Sequence, residues 1–447
     1  RSFKTMNYKK DLLKNNNKIA VWGTGYIGLS TMMYFAKKGV ASIGFDIDFK
    51  KVKQINKGIL PIDELQSWFG FKIKPFIKKK KLLATNNLKD LFDKKISTHF
   101  IAIPTEKDGK PHFKILFEVL KNIANIIKKR QNDKKIIVIV ESTLTPKFSE
   151  KKIIPFFKSK NILPGKDFIF AVAPRRDWFV EGTKSLENLD RVFGSTDKIS
   201  SKYVRSILSI VCKKLHEASS HRVSEMVKSI ENAYRHVEIT LANQLSLAYP
   251  KENMREVLKL VGTKWNIGTF YPGFGSGGYC IPLSSQYVLQ NVNKNKDLTL
   301  LRETIKTDKN INLLIARSLV KKKFKSIGVL GLSYKGNLKV SILSPIIPFV
   351  KELKKYKINV KVFDPFYSKK EINEILSVKS FKFPQGLKQF DCLILAVDHN
   401  IFKKNANLIF KNLNKVSFIL DNNGVWENFK NKLKKYNYHV SGDTGWI

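Results

Sequence analysis

Apolar residues between positions 18 and 140 form short runs that alternate with longer amphipathic stretches. Short apolar runs are typical of buried strands, whereas apolar residues that recur every three or four positions are typical of helices that cover a sheet. This alternation predicts a parallel sheet with helices on its faces. The predicted strands are residues 18–22, 42–46, 99–103 and 135–140.

The same alternation begins again near Lys325, with strands predicted at residues 326–331, 359–364, 391–397 and 416–421. Between the two sets, residues 219–249 are predicted to form one long helix that ends before Pro250. A long helix between domains must bury its apolar faces against something, so we expect the middle segment to be a connector and a subunit interface.

The predicted fold class is therefore α/β, with two Rossmann-like, doubly wound parallel-sheet domains joined by a long central helix. We place the first domain at residues 1–213, the central helical segment at 214–320 and the last domain at 321–447.

Composition narrows the class of protein. The 447 residues contain three cysteines with no paired spacing, which fits neither a disulfide framework nor a thiolate metal site. The seven histidines show no metal-ligand spacing either, so we expect no metal. The chain has no apolar stretch long enough to span a membrane, and residues 1–18 lack an apolar segment of the signal-peptide kind. We expect a soluble, cytoplasmic protein without membrane contact.

A formal net charge of +45 suggests the hypothesis that the protein binds nucleic acid. Clustered Lys and Arg side chains favour such binding because they release counterions from a phosphate backbone. The lysines are spread over almost every segment, and the longest basic runs are only residues 78–81 and 321–323. The pattern favours a generally lysine-rich surface whose summed field attracts anionic small molecules, with a polyanion as the alternative. We expect no nucleic-acid partner.

A glycine-rich turn follows the first predicted strand and leads into a helical pattern. In such a turn the first glycine permits a tight bend, the second lets the backbone approach a pyrophosphate, and the third allows close helix packing. Asp46 ends the second strand about twenty residues further on, where a carboxylate accepts hydrogen bonds from a ribose and repels a 2′-phosphate. NAD is therefore favoured over NADP. The predicted cofactor contacts here are Gly23, Gly25, Tyr26, Ile27, Gly28 and Asp46.

The central helix carries a polar stripe, which consists of Glu225, Lys228, Asn232 and Arg235. Spacings of three and four place these residues on one helix face. A stripe alone is typical of a solvated surface, but the loop that follows places four glycines before Cys280. That composition lets backbone N–H groups surround a ligand and holds the thiol at a fixed approach. Cys212 and Cys392 lie in apolar stretches and are predicted to be core residues.

Six motifs, in this order, resemble those of the UDP-glucose/GDP-mannose dehydrogenase family over residues 18–421. They are the dinucleotide turn with Asp46, Ile103-Pro104-Thr105, Glu141-Ser142-Thr143 with Pro146, the stripe from Lys228 to Asn232, the glycine-cysteine loop, and Leu332-Ser333-Tyr334-Lys335-Gly336-Asn337. The resemblance implies oxidation of a nucleotide-sugar C6 alcohol to a carboxylate with two NAD, for surface polysaccharide synthesis. It also implies a homodimer or higher homo-oligomer formed through the middle helix.

The resemblance also implies individual roles. Cys280 would attack the aldehyde and form a thiohemiacetal and then a thioester, while Lys228 and Asn232 would hold the oxyanion. Thr105 would help to place a catalytic water and, with Glu141, would lie at the cofactor. The implied substrate contacts are Lys228, Asn232, Gly275, Gly277, Gly278 and Lys335. The first domain would bind NAD and the last would bind the nucleotide sugar.

The sequence departs from the family at four positions. Ser284 replaces an aspartate four residues after the cysteine, and Arg175 replaces a glutamate after Pro174. Val340 and Ile342 replace an acidic residue and an arginine ahead of the Ser-Pro pair at residues 344–345. A local shift would let Asp177 or Glu181 supply the missing carboxylate. A catalytically impaired relative that binds NAD or nucleotide sugar is therefore the alternative function.

Overall fold

A computed structural model of the chain describes residues 7–62, 64–130, 134–177, 179, 184–293 and 297–447. It divides into two compact units, Arg1–Glu231 with Gln290–Val292 and Asn232–Leu289 with Asn293–Ile447. Each unit is built around its own parallel sheet.

The sheet of the first unit has eight strands, ordered β10-β9-β8-β7-β4-β1-β2-β3. All neighbours are parallel except β8 and β9, which pair antiparallel. The strands are β1 (Lys18–Trp22), β2 (Ser42–Phe45), β3 (Leu82–Thr85), β4 (Ile96–Ile101), β7 (Ile136–Val140), β8 (Phe168–Val172), β9 (Arg191–Ser195) and β10 (Leu215–Glu217), while β5 (Glu106–Lys107) and β6 (Lys110–Pro111) form a separate hairpin.

Alternate residues of β1 pack into two hydrophobic cores, which is why its apolar run is continuous. Ile19 and Val21 belong to one core, and Ala20 and Trp22 belong to the other. Helices therefore cover both faces of the sheet. The helices of this unit are α1 (Tyr8–Leu13), α2 (Tyr26–Lys37), α3 (Phe49–Asn56), α4 (Glu64–Phe69), α5 (Lys74–Lys78), α6 (Lys114–Lys129), α7 (Ile154–Lys158) and α8 (Lys198–Leu208), and a π-helical turn covers Ser149–Ile153.

The sheet of the second unit is entirely parallel, in the order β12-β11-β13-β14-β15. Its strands are β11 (Ser326–Leu330), β12 (Asn359–Phe363), β13 (Cys392–Leu395), β14 (Phe418–Asp421) and β15 (Tyr438–Val440). The helices are α9 (His221–Ala248), which begins in the first unit, α10 (Met254–Val261), α11 (Ile281–Val288), α12 (Thr299–Lys321), α13 (Ile346–Lys355), α14 (Lys369–Leu376), α15 (Asn400–Lys404), α16 (Ala406–Phe410) and α17 (Lys430–Leu433).

The predicted fold class is confirmed: two α/β domains with Rossmann-like sheets and one long central helix. Each predicted strand has an observed counterpart, although β4 begins three residues before the predicted residue 99. The sequence pattern did not identify β3, β8, β9, β10 or β15. Among the helices of the described residues, none combines the length and apolar character needed to cross a bilayer.

Candidate active site

The dinucleotide turn has one crowded side and one open side. A Cβ on Gly23, whose φ is +90°, would lie 2.6 Å from the carbonyl oxygen of Ala102, and a Cβ on Gly28 would lie 1.8 Å from the carbonyl oxygen of Gly23. A Cβ on Gly25, the N-cap of α2, would meet nothing within 4 Å. The crowded glycines therefore shape the turn, and the open one leaves room for a pyrophosphate at the helix N-terminus.

Asp46 follows β2 and is tied to the same turn. Its Oδ2 accepts hydrogen bonds from the Thr24 N–H at 2.9 Å and the Thr24 hydroxyl at 2.7 Å, and its Oδ1 accepts the Asp48 N–H at 3.0 Å. Burial alone would raise the pKa of Asp46, but these hydrogen bonds outweigh it and hold the pKa below its ordinary value. An ionised carboxylate at this edge of the sheet fits a ribose diol, as NAD binding requires.

The loops after β4 and β7 are joined by hydroxyl groups. The Thr105 hydroxyl donates to the carbonyl of Thr143 at 2.7 Å, and the Ile103 N–H donates to the Ser142 hydroxyl oxygen at 3.0 Å. Thr105 is buried. The predicted role of Thr105 in placing a catalytic water stays a prediction.

Glu141 lies behind the cofactor turn, with a fully buried side chain. Its Oε1 accepts a hydrogen bond from Arg191 at 2.5 Å, and its Oε2 accepts one from the Thr31 hydroxyl at 2.6 Å. The carboxylate is therefore used by protein groups and supports α2 through Thr31, while the predicted place of Glu141 at the cofactor stays a prediction.

Arg175 points into the protein and pairs with Asp177, and both side chains are 2% exposed. Its guanidinium donates to both Asp177 oxygens, at 2.7 and 2.9 Å, and to the α2 hydroxyls of Ser30 and Thr31. Burial alone would lower the pKa of Arg175, but Asp177 and Glu141 outweigh it and raise the pKa. Asp177 is therefore neutralised by Arg175, which corrects the expectation that it replaces the missing carboxylate. Glu181, the other candidate, lies outside the described residues.

The neighbouring arginine points to α9. Arg176 pairs with Glu231 and donates to the carbonyl of Asp190 at 2.9 Å. Lys228, three residues before Glu231, is half-buried on the same helix within the first unit. Its approach to Cys280 stays a prediction.

Cys280 stands at the N-cap of α11 and is exposed, whereas Cys212 and Cys392 are buried. One turn into α11, the Ser284 hydroxyl accepts a hydrogen bond from the Asn232 amide at 3.0 Å. Asn232 and Ser284 are both buried. The structure thus joins the predicted oxyanion residue Asn232 to the helix that begins beside the predicted nucleophile.

The glycine-rich loop is held through its own backbone. The Gly273 N–H donates to Asn243 at 2.8 Å, the Phe274 N–H donates to Asn422 at 3.1 Å, and the Gly278 N–H donates to the carbonyl of Ile342 at 3.1 Å. These three N–H groups therefore help to fix the conformation of the loop. Ile342 takes part through its carbonyl, which a change of side chain does not remove.

Gly277 and Gly278 pack against Tyr334. A Cβ on Gly277 would lie 2.6 Å from the Tyr334 Cβ, and a Cβ on Gly278 would lie 2.8 Å from the ring. These glycines therefore allow close packing against Tyr334, and their predicted substrate contact stays a prediction. Burial and then the charge of Cys280 raise the pKa of Tyr334.

A pocket of about 270 Å³ lies in the second unit beside the glycine-rich loop. It is lined by residues that include Tyr271, Gly275, Ser333, Lys335, Asp398 and Asn422. The Arg255 guanidinium, also at the pocket, lies 4.4 Å from the centre of the Tyr271 ring. Cationic, aromatic and amide groups together suit a nucleotide diphosphate. Gly275 and Lys335 both line this pocket, and their predicted substrate contacts stay predictions.

A buried histidine organises the loop that carries Lys335. The Asn337 N–H donates to His399 Nδ1 at 2.9 Å, so Nε2 carries the proton and donates to Asp364 at 3.0 Å. Asp364 also accepts the backbone N–H groups of Leu332 and Ser333. The spacing of residues along the sequence does not show that the ends of β12 and β13 meet.

Among the described residues, His, Cys, Asp and Glu side chains do not form a group of three that could hold a metal.

Three family models match consecutive parts of the chain. The NAD binding domain of the UDP-glucose/GDP-mannose dehydrogenase family matches residues 17–211, the central domain matches 222–310, and the UDP binding domain matches 328–428.

Individual proteins are similar over nearly the whole chain. Protein CapL of Staphylococcus aureus is 29% identical over 427 residues, which are 92% of this chain and 96% of that protein. The UDP-N-acetyl-D-glucosamine 6-dehydrogenase of Pseudomonas aeruginosa is 28% identical over 421 residues, which are 90% and 95% of the two chains. The structure of a UDP-D-ManNAc dehydrogenase from Pyrococcus horikoshii superposes with a TM-score of 0.82 at 26% identity, covering 96% of this chain and all of that one.

With consecutive matches to all three of its domains, and with a turn and carboxylate that fit the cofactor, the chain belongs to the UDP-glucose/GDP-mannose dehydrogenase family of NAD-dependent nucleotide-sugar dehydrogenases.

Proposed function

We propose that this protein oxidises the C6 alcohol of a UDP-linked sugar to the carboxylate, through a covalent adduct on Cys280. Bound NAD supplies the hydride acceptor for each of the two oxidations. The alcohol loses a hydride and a proton to give the aldehyde, and the Cys280 thiolate adds to its carbon to give the thiohemiacetal anion. Loss of the second hydride from this anion gives the thioester, and water cleaves the thioester to release the carboxylate, the Cys280 thiol and one proton.

The hydrogen bond from Asn232 to Ser284 carries this proposal, because it joins the predicted oxyanion residue to the helix of the predicted nucleophile. The Asn232 amide has a second N–H, which we assign to the oxyanion of the adduct. We assign the charge of Lys228 to the same oxyanion and the Thr105 hydroxyl to the hydrolytic water. Gly275 and Lys335 are assigned to the nucleotide end of the substrate.

The relatives support a choice of sugar. The Pseudomonas aeruginosa and Pyrococcus horikoshii proteins are named for UDP-N-acetylglucosamine and UDP-N-acetylmannosamine. We therefore propose a UDP-N-acetylhexosamine as the substrate class and surface polysaccharide synthesis as the purpose.

A substrate panel tests the activity. Purified protein is mixed with NAD and UDP-N-acetylglucosamine, UDP-N-acetylmannosamine, UDP-glucose or GDP-mannose, and NADH is followed by absorbance. We expect two NADH for each sugar consumed with one UDP-N-acetylhexosamine, and a much lower rate with NADP. Full activity of Cys280→Ser would contradict the covalent route.

A second function is favoured by the two missing carboxylates. Ser284 is neutral, and Asp177 is neutralised by Arg175, so hydrolysis of the thioester lacks both groups. The alternative is an impaired enzyme that binds NAD and nucleotide sugar without full turnover. A burst of NADH followed by slow turnover, or NAD binding with silence across the panel, would favour this alternative.

We also propose that residues 1–213 bind NAD, that residues 214–320 connect and dimerise, and that residues 321–447 bind the nucleotide sugar. The exposed apolar residues of the middle segment support a second copy of the chain as partner: Trp265 is 91% exposed and Leu260 is 62% exposed. Light scattering should give at least twice the monomer mass, and Trp265→Ser should weaken the assembly. A monomer at micromolar concentration would contradict the proposal.

A further inference from the structure

A cluster of four polar side chains, three of them buried and one half-buried, lies at the glycine-rich loop in the second unit. The members come from four elements: His236 from α9, Ser276 from the loop, Ser285 from α11 and Asp308 from α12. His236 and Asp308 have side chains that are 1% and 7% exposed. Of these four residues, Ser276 lies in the glycine-cysteine loop that the sequence singled out, and the other three lie outside the six motifs.

Asp308 holds the centre of the loop. Its Oδ1 accepts the Ser276 N–H at 2.8 Å, and its Oδ2 accepts the Ser276 hydroxyl at 2.6 Å. His236 Nε2 lies 3.1 Å from the same Oδ2. Both oxygens of the carboxylate are therefore used, and one of them holds the histidine and the loop together.

His236 also contacts the helix that follows Cys280. Its Nδ1 lies 2.8 Å from the Ser285 hydroxyl, and Ser285 is in the helix that begins directly after Cys280. A neutral imidazole with its proton on Nε2 satisfies the whole cluster, because it donates to Asp308 and accepts from Ser285. His236 and Asp308 thus connect the segments before and after Cys280.

The glycine-rich loop needs hydrogen bonds from other elements because its own sequence does not determine its conformation. Gly275 and Gly278 have positive φ values of 106° and 77°, and glycine has more backbone freedom to lose than any other residue. Ser276 lies between them and is the loop residue that Asp308 grips by both N–H and O–H. A displacement of about 1 Å at a reacting group can lower a rate by about 100-fold.

We propose that His236 and Asp308 are positioning residues for the thiol of Cys280, acting through Ser276 and Ser285. The proposal rests on the proposed role of Cys280 as the nucleophile. Neither residue needs to touch the substrate, so their effect belongs to the chemical step and to the reactivity of the thiol, and less to substrate binding.

Asp308→Ala and Asp308→Asn test the proposal in the full-length protein. The alanine variant removes every contact of the carboxylate. The asparagine variant keeps an oxygen for the Ser276 N–H, and its amide can donate to His236 once the histidine proton moves to Nδ1. We expect kcat to fall about 10- to 100-fold in Asp308→Ala with KM changed less than about threefold, and to recover most of that loss in Asp308→Asn.

Alkylation by iodoacetamide gives a readout independent of turnover, since Cys280 is exposed and the other two cysteines are buried. We expect its rate to change at least about fivefold in Asp308→Ala and to return toward wild type in Asp308→Asn. Glu352→Ala is the matched control: it removes a carboxylate that is 3% exposed and pairs with Arg317 and Lys355, which are not members of the cluster. That variant should lose stability while keeping kcat and the alkylation rate.

Two further variants keep the proposal testable if Asp308→Ala does not fold. Ser276→Ala and His236→Asn remove fewer contacts and should shift kcat and alkylation in the same direction by smaller factors. Wild-type kcat and alkylation in Asp308→Ala would overturn the proposal, as would losses equal to those of Glu352→Ala. Full activity of Cys280→Ser would instead refute the proposed nucleophile, so the two failures are distinguishable.

Discussion

At the scale of single residues, the candidate site has the predicted nucleophile Cys280 but differs from the family pattern at the neighbouring position Ser284. Cys280 is exposed at the start of α11, and Asn232 contacts that helix through Ser284. A serine hydroxyl takes the place that a carboxylate has in the family, so the position can still accept a hydrogen bond but carries no charge. Under the proposed mechanism, we therefore expect Ser284 to affect turnover as much as Cys280 does.

Replacing Ser284 by aspartate should speed hydrolysis of the thioester, because a carboxylate one helical turn from the thiol can orient or deprotonate the attacking water. If hydrolysis limits the wild type, Ser284→Asp should raise steady-state turnover about 10-fold, a low value for general-base catalysis, and shrink the NADH burst. Ser284→Asn, of similar size but uncharged, is the control. Equal turnover in both variants would contradict the assignment.

At the scale of elements, buried charges hold together the parts of the first unit that surround the cofactor turn. Arg175 ties the segment after β8 to α2, and Glu141 ties the end of β7 to α2 through Thr31. The five N–H donors of a guanidinium suit such a junction, because they satisfy several partners at once.

Removing Arg175 should be costly, since it leaves the buried carboxylates of Asp177 and Glu141 with less compensation. We expect Arg175→Ala to lower the free energy of unfolding by about 3–5 kcal/mol. Arg205→Ala, which breaks the exposed pair with Glu217, should cost less than about 1 kcal/mol. Urea titration measures both values, and similar small losses would show that the buried network is not needed.

The start of α9 gives a pH-dependent prediction. Glu225 accepts the Ser149 N–H at 2.9 Å, but its Oε1 has no partner, and burial raises its pKa to about 7. The unfolded carboxyl loses its proton first, so this group lowers stability as pH rises from about 4.3 toward 7. The Glu225→Gln variant should therefore gain melting temperature relative to wild type between pH 5 and pH 8. A difference that does not vary with pH would contradict this account.

At the scale of the whole molecule, the sequence was sufficient for the architecture and for the cofactor. The spacing of apolar residues and the positions of turn-forming residues predicted β1, β2 and α9, because these elements have regular apolar patterns. The sequence alone did not predict contacts between segments that are distant along the chain. Packing determines such features, which include the inward direction of Arg175, the enclosure of Glu141 and the pairing of His236 with Asp308. Local spacing contains no information on such contacts.

The lysine-rich surface should act on the whole enzyme through its field. A net charge of +45 attracts a dianionic nucleotide sugar, and salt screens that attraction over a length of about 8 Å at physiological ionic strength. We expect kcat/KM for the UDP-sugar to fall with added KCl while kcat stays nearly constant. Stopped-flow or initial-rate assays at equal viscosity measure this, and a salt-independent kcat/KM would contradict field attraction.

The covalent role of Cys280 is tested most directly by intact-mass spectrometry of protein quenched during turnover with NAD and a UDP-N-acetylhexosamine. A thioester on Cys280 predicts an added mass equal to the oxidised nucleotide sugar bound at that residue, absent from Cys280→Ser and longer-lived in wild type than in Ser284→Asp. Two NADH per sugar with no adduct at any time, and with Cys280→Ser equally active, would contradict it.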